Sequence, residues 1–407
     1  MESNSSGNPN ESNAGRPLMD LTMTVPIDYA VPLNGYFSPI LICFTVITNI
    51  LVVVVLLKKH MRTPTNAILA GMAVSDMFTG IFPLPVFIYF FAMGNYREKM
   101  GINWCVVYMY FGEYIPTIFH TASIWLTMAL AIQRYIYICH SFQARRWCTM
   151  QNVLTGTAII YAIATLSQVC RFVEEDYIEI PMPSNIYPNK TVNACVKVLK
   201  PWFLENMDVY YNMYFWFRVI CIHLIPCTFL VVLNLLLILT MRTAQIRRMQ
   251  LLKQNKKSES RKIKDSNCTT LMLVAVVGLF LLVEFPMGII MILNIVHNTF
   301  SLEIFDLRTF AILSLMSNFF ILLSYPLNFF IYCGMSRQFR ETFKRMFIGG
   351  SMPIDRECSQ YMTLPIENGN KTQMTGGGET VLWYDIYNCN VVCFYRNKTQ
   401  NCILSDL

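Results

Sequence analysis

The chain has 407 residues, 54% of them hydrophobic and only 14% charged, with a net charge of +7. Soluble domains carry about 25% charged residues, so the composition excludes an ordinary soluble protein and reads as a membrane protein. The excess cations lie in short segments beside apolar spans, as membrane topology places them, which argues against a nucleic-acid partner. Fourteen cysteines are too sparse for a disulfide scaffold, and no cleavable signal peptide is visible at the start.

Residues 1–34 form a polar tail rich in Asn, Ser, Gly and Pro, with glycosylation sequons at Asn4 and Asn10. Asn8 is excluded as an acceptor by Pro9. Seven apolar spans follow, near 36–57, 66–92, 104–138, 151–172, 212–241, 269–297 and 309–333. Each is long enough to cross a bilayer as a helix. Their connections alternate in charge. One side carries Lys58, Lys59 and Arg62, then Arg145 and Arg146, then a long basic loop from Arg242 to Lys264. The other is richer in acids, among them Glu174, Glu175, Asp176 and Glu179. Short loops rich in Lys and Arg stay in the cytosol, so the N-terminus is expected outside and the C-terminus inside.

Span 1 holds Asn49 and span 2 holds Asp76, a carboxylate that inside lipid marks either a functional site or a polar pairing. Pro64 precedes span 2 as a helix-start signal. Span 3 has Cys105 at one end and Arg134 at the other, 29 residues apart. At a helical rise of 1.5 Å that is roughly 43 Å, a bilayer with its headgroups. Arg134 either ends the helix among headgroups or faces a protein interior.

Spans 4 and 5 are joined by a loop of roughly forty residues, long enough to suggest function. It holds the sequon Asn189-Lys190-Thr191 and Cys195. With both cysteines on the oxidising side, a Cys105–Cys195 bridge is expected, a free Cys195 being the alternative. Pro226 and Pro286 predict kinks in spans 5 and 6, and Glu284 is the least expected residue in the chain. After span 7, Phe339, Phe343 and Phe347 recur every four residues among Arg337, Arg340, Lys344 and Arg345, an amphipathic helix suited to an anionic membrane face. Residues 348–407 read as a mostly polar cytoplasmic tail, although 381–396 is unusually apolar. Sequons at Asn370 and Asn397 are discounted there. The terminus Ser405-Asp406-Leu407 fits capture by a PDZ domain; Glu379-Thr380-Val381-Leu382 fits better, but only as a chain end.

Taken together, these residues resemble the rhodopsin-like (class A) G-protein-coupled receptors over residues 35–347. Asn49, Asp76, the Cys105/Cys195 pair, Gln133-Arg134-Tyr135 in place of DRY, Pro226, Pro286 and Asn328-Phe329-Phe330-Ile331-Tyr332 in place of NPxxY occur in order. There are departures. Gln133 replaces an Asp, Phe329 replaces a Pro, Glu284 stands where a tryptophan is usual, and span 4 lacks its tryptophan. The Cys105-to-Arg134 spacing is about one turn long. The stretches HTASIWLTMALAIQRYIYICH, NCTTLML and YCGMSRQFRETF resemble the invertebrate sex peptide receptor / myoinhibitory peptide receptor group.

The resemblance implies an all-α seven-transmembrane helix bundle with a short amphipathic eighth helix. It implies a plasma-membrane neuropeptide receptor for short amidated, tryptophan-containing peptides, coupled to Gi/o proteins and met by arrestin. It assigns Gln133, Arg134, Tyr135 and Tyr332 to G-protein coupling. With Gln133 beside it and no acid at Ser266, Arg134 is expected to be weakly restrained. Asp76, Ser123 and Asn328 match a sodium pocket, the alternative being a polar packing cluster. Glu284, Pro286 and Phe280 stand as the activation switch, with His120 and His223 as candidate partners of Glu284. Ligand contacts are expected from the acidic rim and aromatic wall of the outer cup, with Glu113, Tyr114, Tyr211 and Trp216 as candidates. Part of that aromatic set is expected to be membrane-interface belt instead. An Arg-Phe-amide (FMRFamide-like or myosuppressin) receptor is the nearest alternative. A seven-span enzyme, pump or transporter is the rival class, but the chain shows no paired acids, internal repeat or span-7 lysine to support one.

Overall fold

A computed structural model describes residues 18–201, 207–254, 256–300 and 306–349, and further on 372–376, 379–386, 389–396 and 399–404. The sequons at Asn4, Asn10, Asn370 and Asn397 and the Ser405–Leu407 terminus lie outside these residues.

Among the described residues seven helices are long and apolar enough to cross a membrane: α1 Ile27–Leu56, α2 Pro64–Ala92, α3 Ile102–Cys139, α4 Met150–Val173, α5 Asn212–Lys253, α6 Thr270–His297 and α7 Leu307–Met335. A short α8, Arg337–Phe347, follows. The chain is thus a multi-pass membrane protein of helical-bundle architecture. Helix starts are set locally. Thr63 caps α2 with Pro64 as first residue, Thr149 caps the amide of Asn152 in α4, and Asp306 and Ser336 cap α7 and α8. Each cap satisfies an amide that the helix leaves without a partner.

The spans run wider than the apolar pattern suggests, chiefly at the Cys105 end. There the helices contain π-type turns at Val31–Phe37, Phe87–Ala92, Tyr108–Tyr114 and Arg218–Leu224. Pro39, Pro116 and Pro226 each stand two residues past the end of such a turn. A proline offers no N–H, so the carbonyls ahead of it must find another register. The turn at Tyr108–Tyr114 lies between Cys105 and Arg134 and absorbs residues of that long spacing. Gly35 sits in the first of these segments, where an added Cβ would come 3.0 Å from the backbone of Phe91, so α1 and α2 touch there through bare backbone.

Two departures from the sequence reading concern loops. The expected long basic loop is mostly helix. Arg242, Arg247, Arg248 and Lys253 extend α5, and Arg261, Lys262 and Lys264 stand on a helix that runs from Lys257 to Phe300, so only residues 254–256 separate the two. Lys, Arg and Gln are good helix formers, and neither helix need stop where lipid does. The loop between α4 and α5 is a β-hairpin, β1 Glu175–Pro183 with β2 Thr191–Leu199, pairing Glu179 with Cys195.

Tyr161 ties span 4 to its neighbour. Its hydroxyl bonds Ser75 at 2.7 Å and donates to the Gly71 carbonyl at 2.9 Å, tying α4 to α2.

Residues 349–407 form a second unit. Its described strands, β3 Thr372–Gly376, β4 Glu379–Ile386, β5 Cys389–Arg396 and β6 Thr399–Leu404, make an antiparallel meander in chain order. The apolar stretch at 381–396 therefore forms most of the two inner strands, and Glu379-Thr380-Val381-Leu382 opens β4 rather than ending a chain.

Candidate functional site

The site has three levels along the bundle. At the first, Cys105 of α3 is bridged to Cys195 of β2, both wholly buried, with Cα atoms 6.3 Å apart. The bridge holds the hairpin across the bundle end. The amide of Cys195 donates to the Met100 carbonyl at 2.7 Å, and Met19 donates to Cys195 at 3.2 Å, so the N-terminal segment runs beside β2. Glu98 anchors the hairpin turn. It accepts from the Ser184 hydroxyl and from the amide of Asn185 at 2.9 Å, while Lys99 donates to the Pro183 carbonyl at 2.6 Å. Desolvation raises the Glu98 carboxyl, but the Ser184 hydroxyl and the amides of Asn185 and Lys99 outweigh it and hold the group below the usual glutamate range. Asn189 is exposed at the hairpin tip with φ 71°, a conformation Asn tolerates.

Beneath the hairpin, β1 joins the helices through carboxylates. Tyr114 of α3 donates to Glu175 at 3.0 Å, Tyr177 donates to the same oxygen at 3.2 Å, and Lys197 lies 3.4 Å from it. Arg171 of α4 pairs with Glu174 at 2.5 Å and lies over the Tyr114 ring at 5.2 Å. Tyr210 donates to Glu174 at 2.8 Å. Burial pushes the Glu174 carboxyl up, against the pull of Arg171. Tyr114, expected to meet a ligand, is 3% exposed, and its hydroxyl is one of the donors that serve the Glu175 carboxylate. Glu113, one residue earlier, is exposed and has Lys197, Arg171, Glu175 and Arg218 as charged neighbours. Trp216 is half-buried on α5, and the side chain of Tyr211 lies outside the described residues.

The second level is a polar cavity lined by Asp76, Ser123, Thr127, Phe280, Glu284 and Asn328 among others. Ser123 donates to Asp76 at 2.7 Å and Asn328 donates to its other oxygen at 3.3 Å. The three residues named from the sequence thus meet. A carboxylate with the hydroxyls of Ser123 and Thr127 in one cavity is a hard-oxygen donor set that fits a small cation. Glu284, 1% exposed, lies 3.4 Å from His120 of α3 and 3.9 Å from His223 of α5. Both histidines that the sequence offered are therefore neighbours of the one carboxylate. His120 also bonds the Tyr325 hydroxyl of α7 at 3.1 Å. Phe280 lines the same cavity, whereas Pro286 is exposed and away from it.

At the third level, Gln133 is 4% exposed and both its amide atoms are buried without a partner. The Arg134 Nε is likewise unpartnered, and its guanidinium sits 5.8 Å from the Tyr137 ring centroid. Among the described residues no carboxylate pairs with Arg134; the side chain of Ser266 lies outside them. Tyr135 is half-buried and edge-on to His140 at 5.8 Å. Tyr332 is 3% exposed and packs on Phe339 at 5.8 Å. Phe329 packs on both Phe339 and Phe343 of α8, at 6.2 and 5.7 Å. The Phe face of α8 was expected on the membrane. Instead Phe339 is buried against the bundle, and only Phe347, 48% exposed, is left outward. Arg340 finishes the junction by donating to the Cys333 and Gly334 carbonyls at 3.1 and 2.6 Å.

Sequence reasoning missed two residues, Arg171 and Arg218. Each was visible as a lone arginine inside an apolar span, the same signal that picked out Arg134.

With this geometry in place, the comparisons are specific. The chain matches the family described as serpentine type 7TM GPCR chemoreceptor Srw over residues 36–350. It is 44% identical to the sex peptide receptor of Drosophila melanogaster over 366 residues, 89% of this chain and 82% of that protein. It is 39% identical to sex peptide receptor-related protein 2 of Caenorhabditis elegans, over 79% of this chain and 73% of that one. It is 27% identical to the FMRFamide receptor of Drosophila melanogaster over 80% of this chain and 56% of that protein.

Proposed function

This chain belongs to the sex peptide receptor family of G-protein-coupled receptors, and on that premise we propose that it is a plasma-membrane receptor for short amidated, tryptophan-containing neuropeptides, signalling through Gi/o. Its N-terminal tail faces outward, with glycans on Asn4, Asn10 and Asn189, and α8 with residues 348–407 faces the cytosol. Arrestin follows the G protein at the inner face, and a PDZ protein at the Ser405-Asp406-Leu407 terminus is a further expected partner.

One observation carries the reading. The single helix α3 bears the bridge to the hairpin at Cys105 and, at its far end, the half-buried Arg134, whose Nε has no hydrogen-bond partner among the described residues. A ligand that favours one arrangement of α3 against α5 and α6 shifts the population of the state that presents Arg134. Glu284 contacts α3 and α5 from α6, so it senses that arrangement. Support for a peptide comes from the cup, where tyrosines, acids and two arginines gather under a hairpin.

The test is a concentration–response series on cells expressing the full chain, comparing a tryptophan-amide peptide with an Arg-Phe-amide peptide. A response to the former at far lower concentration, blocked by a Gi/o-inactivating toxin, is the expected result. Preference for the Arg-Phe-amide peptide reassigns the ligand class, and toxin-resistant signalling reassigns the G protein.

A further inference from the structure

The Glu284 carboxyl stands between two histidines and is closed on neither. Its Oε1 lies 3.4 Å from Nε2 of His120, and its Oε2 lies 3.9 Å from Nδ1 of His223. A normal N–H···O bond spans about 2.7–3.2 Å, so a displacement of roughly 1 Å completes either contact. The second pair is idle. Oε2 of Glu284 and Nδ1 of His223 are both buried without a hydrogen-bond partner. Two such atoms facing each other inside a membrane protein are costly apart and favourable together. Among the described residues no lysine or arginine forms an ion pair with Glu284, so the two imidazoles are the bases within its reach.

The three side chains are not held equally. His120 is anchored on its other side, where Nδ1 meets the Tyr325 hydroxyl of α7 at 3.1 Å. The tautomer that satisfies both contacts has Tyr325 donating to Nδ1 and Nε2–H donating to Glu284. Glu284 stands two residues before Pro286, which cannot donate to the Leu282 carbonyl, so α6 is compliant at that level. His223 lies in the π-type turn Arg218–Leu224, itself a departure from the regular helical ladder. Gly288, one turn past Glu284, brings the α6 backbone against His223: a Cβ there would lie 3.7 Å from that of the histidine. A carboxylate on a compliant segment thus sits between a fixed imidazole and an idle one.

Packed cores offer discrete arrangements rather than a continuum, so small shifts at such a point are amplified. We infer that Glu284 exchanges partners, pairing with His120 in one receptor state and with His223 in the other, so that the two histidines stabilise opposite states. α6 is drawn to α3 in the first arrangement and to α5 in the second. A ligand that favours one placement of α5 against α3 biases the exchange. This deepens the receptor reading and rests on it.

The experiment uses the full-length receptor in cells, with surface expression followed by an N-terminal epitope tag. G-protein activation is read without ligand and with a tryptophan-amide peptide. His120→Phe and His223→Phe each keep a ring and remove the donor, with leucine in place of phenylalanine where the ring variant does not reach the surface. Their ligand-free signals per surface receptor, and their peptide potencies, are expected to move in opposite directions, each by about fivefold or more, the lower end of a coupling between sites. His120→Gln and His223→Gln keep a donor and are expected to recover part of each shift. In a Glu284→Leu background, or in Glu284→Gln if the leucine variant does not reach the surface, both histidine substitutions are expected to lose most of their effect, because the shared carboxylate is gone. Shifts of the same sign, no shift in one or both variants, or opposite shifts that persist undiminished without the carboxylate overturn the exchange. Opposite shifts of the ligand-free signal in a receptor that answers no peptide leave the exchange standing and overturn the peptide reading.

Discussion

Glu284 of α6 and His120 of α3 face each other at 3.4 Å in the middle of the bundle, and His223 of α5 approaches the carboxylate's other oxygen at 3.9 Å. Three helices therefore meet at one carboxyl group. Glu284→Gln keeps the shape and the hydrogen-bonding capacity but removes the charge. The expected outcome is normal surface expression with agonist potency shifted by about tenfold, the scale of a coupling between sites. Concentration–response curves at matched expression check it; unchanged curves make Glu284 a packing residue.

Asp76 accepts from Ser123 and Asn328 in the cavity next to Glu284. If the oxygens hold sodium in one receptor state, agonist affinity falls as sodium replaces a large organic cation at constant ionic strength. A fall of about five- to tenfold is expected, and Asp76→Asn is expected to abolish it. Sodium-insensitive binding in the wild type identifies the cluster as packing alone.

Among the described residues no carboxylate pairs with Arg134, which follows Gln133 in the chain. Gln133→Asp supplies one, and an ion pair of about 1 kcal/mol is expected to reduce ligand-free signalling roughly fivefold. The measurement is basal G-protein activation normalised to surface receptor. No reduction means that Arg134 is already restrained elsewhere.

Phe339 is 1% exposed, wedged against Phe329 and Tyr332. Phe339→Ala is expected to cost about 3–5 kcal/mol through lost burial and the cavity left behind. Thermal unfolding of purified receptor reads the loss. Phe347→Ala, on the exposed side of the same helix, is expected to change little.

Glu98 joins the hairpin turn to the α2–α3 connection, and its folded carboxyl titrates below the ordinary glutamate value of about 4.3. A lowered value means that its contribution is fully present above the unfolded value and is lost as pH falls through the folded one. Hydrogen exchange of the 184–187 amides, corrected for intrinsic rates, is expected to accelerate in that acidic window. In Glu98→Gln the protection is expected to be weaker at neutral pH and to lose this pH dependence.

Part of the site was legible in the sequence. Asp76, Ser123 and Asn328, which the resemblance to rhodopsin-like receptors put together, do meet, and Cys105 and Cys195, placed on the oxidising side by the charge pattern, are bridged. Pro64 marked the start of α2. Other features were not legible. The β-hairpin was read as a loop, although IEIP and TVNACV flank a turn-forming Pro188-Asn189, because strands that short look like any connection without their partner. The Phe face of α8 was assigned to lipid, since amphipathicity says that a face is covered and not by what. Phe329, noted only as a departure from proline, proved to be the surface that covers it. Tyr161 ties α4 to α2 from a position that nothing local marks.

By itself the sequence determined how many times the chain crosses, because lipid leaves a backbone no hydrogen-bond partner outside a continuous apolar helix. Where each helix ends it did not determine, because a helix need not stop where its apolar stretch does. Tertiary structure alone decided that His120 and His223 converge on Glu284 and that Tyr114 supports Glu175. Those relations depend on how each helix is rotated about its axis. Rotation is set by packing among residues tens or hundreds of positions apart, which no single span records.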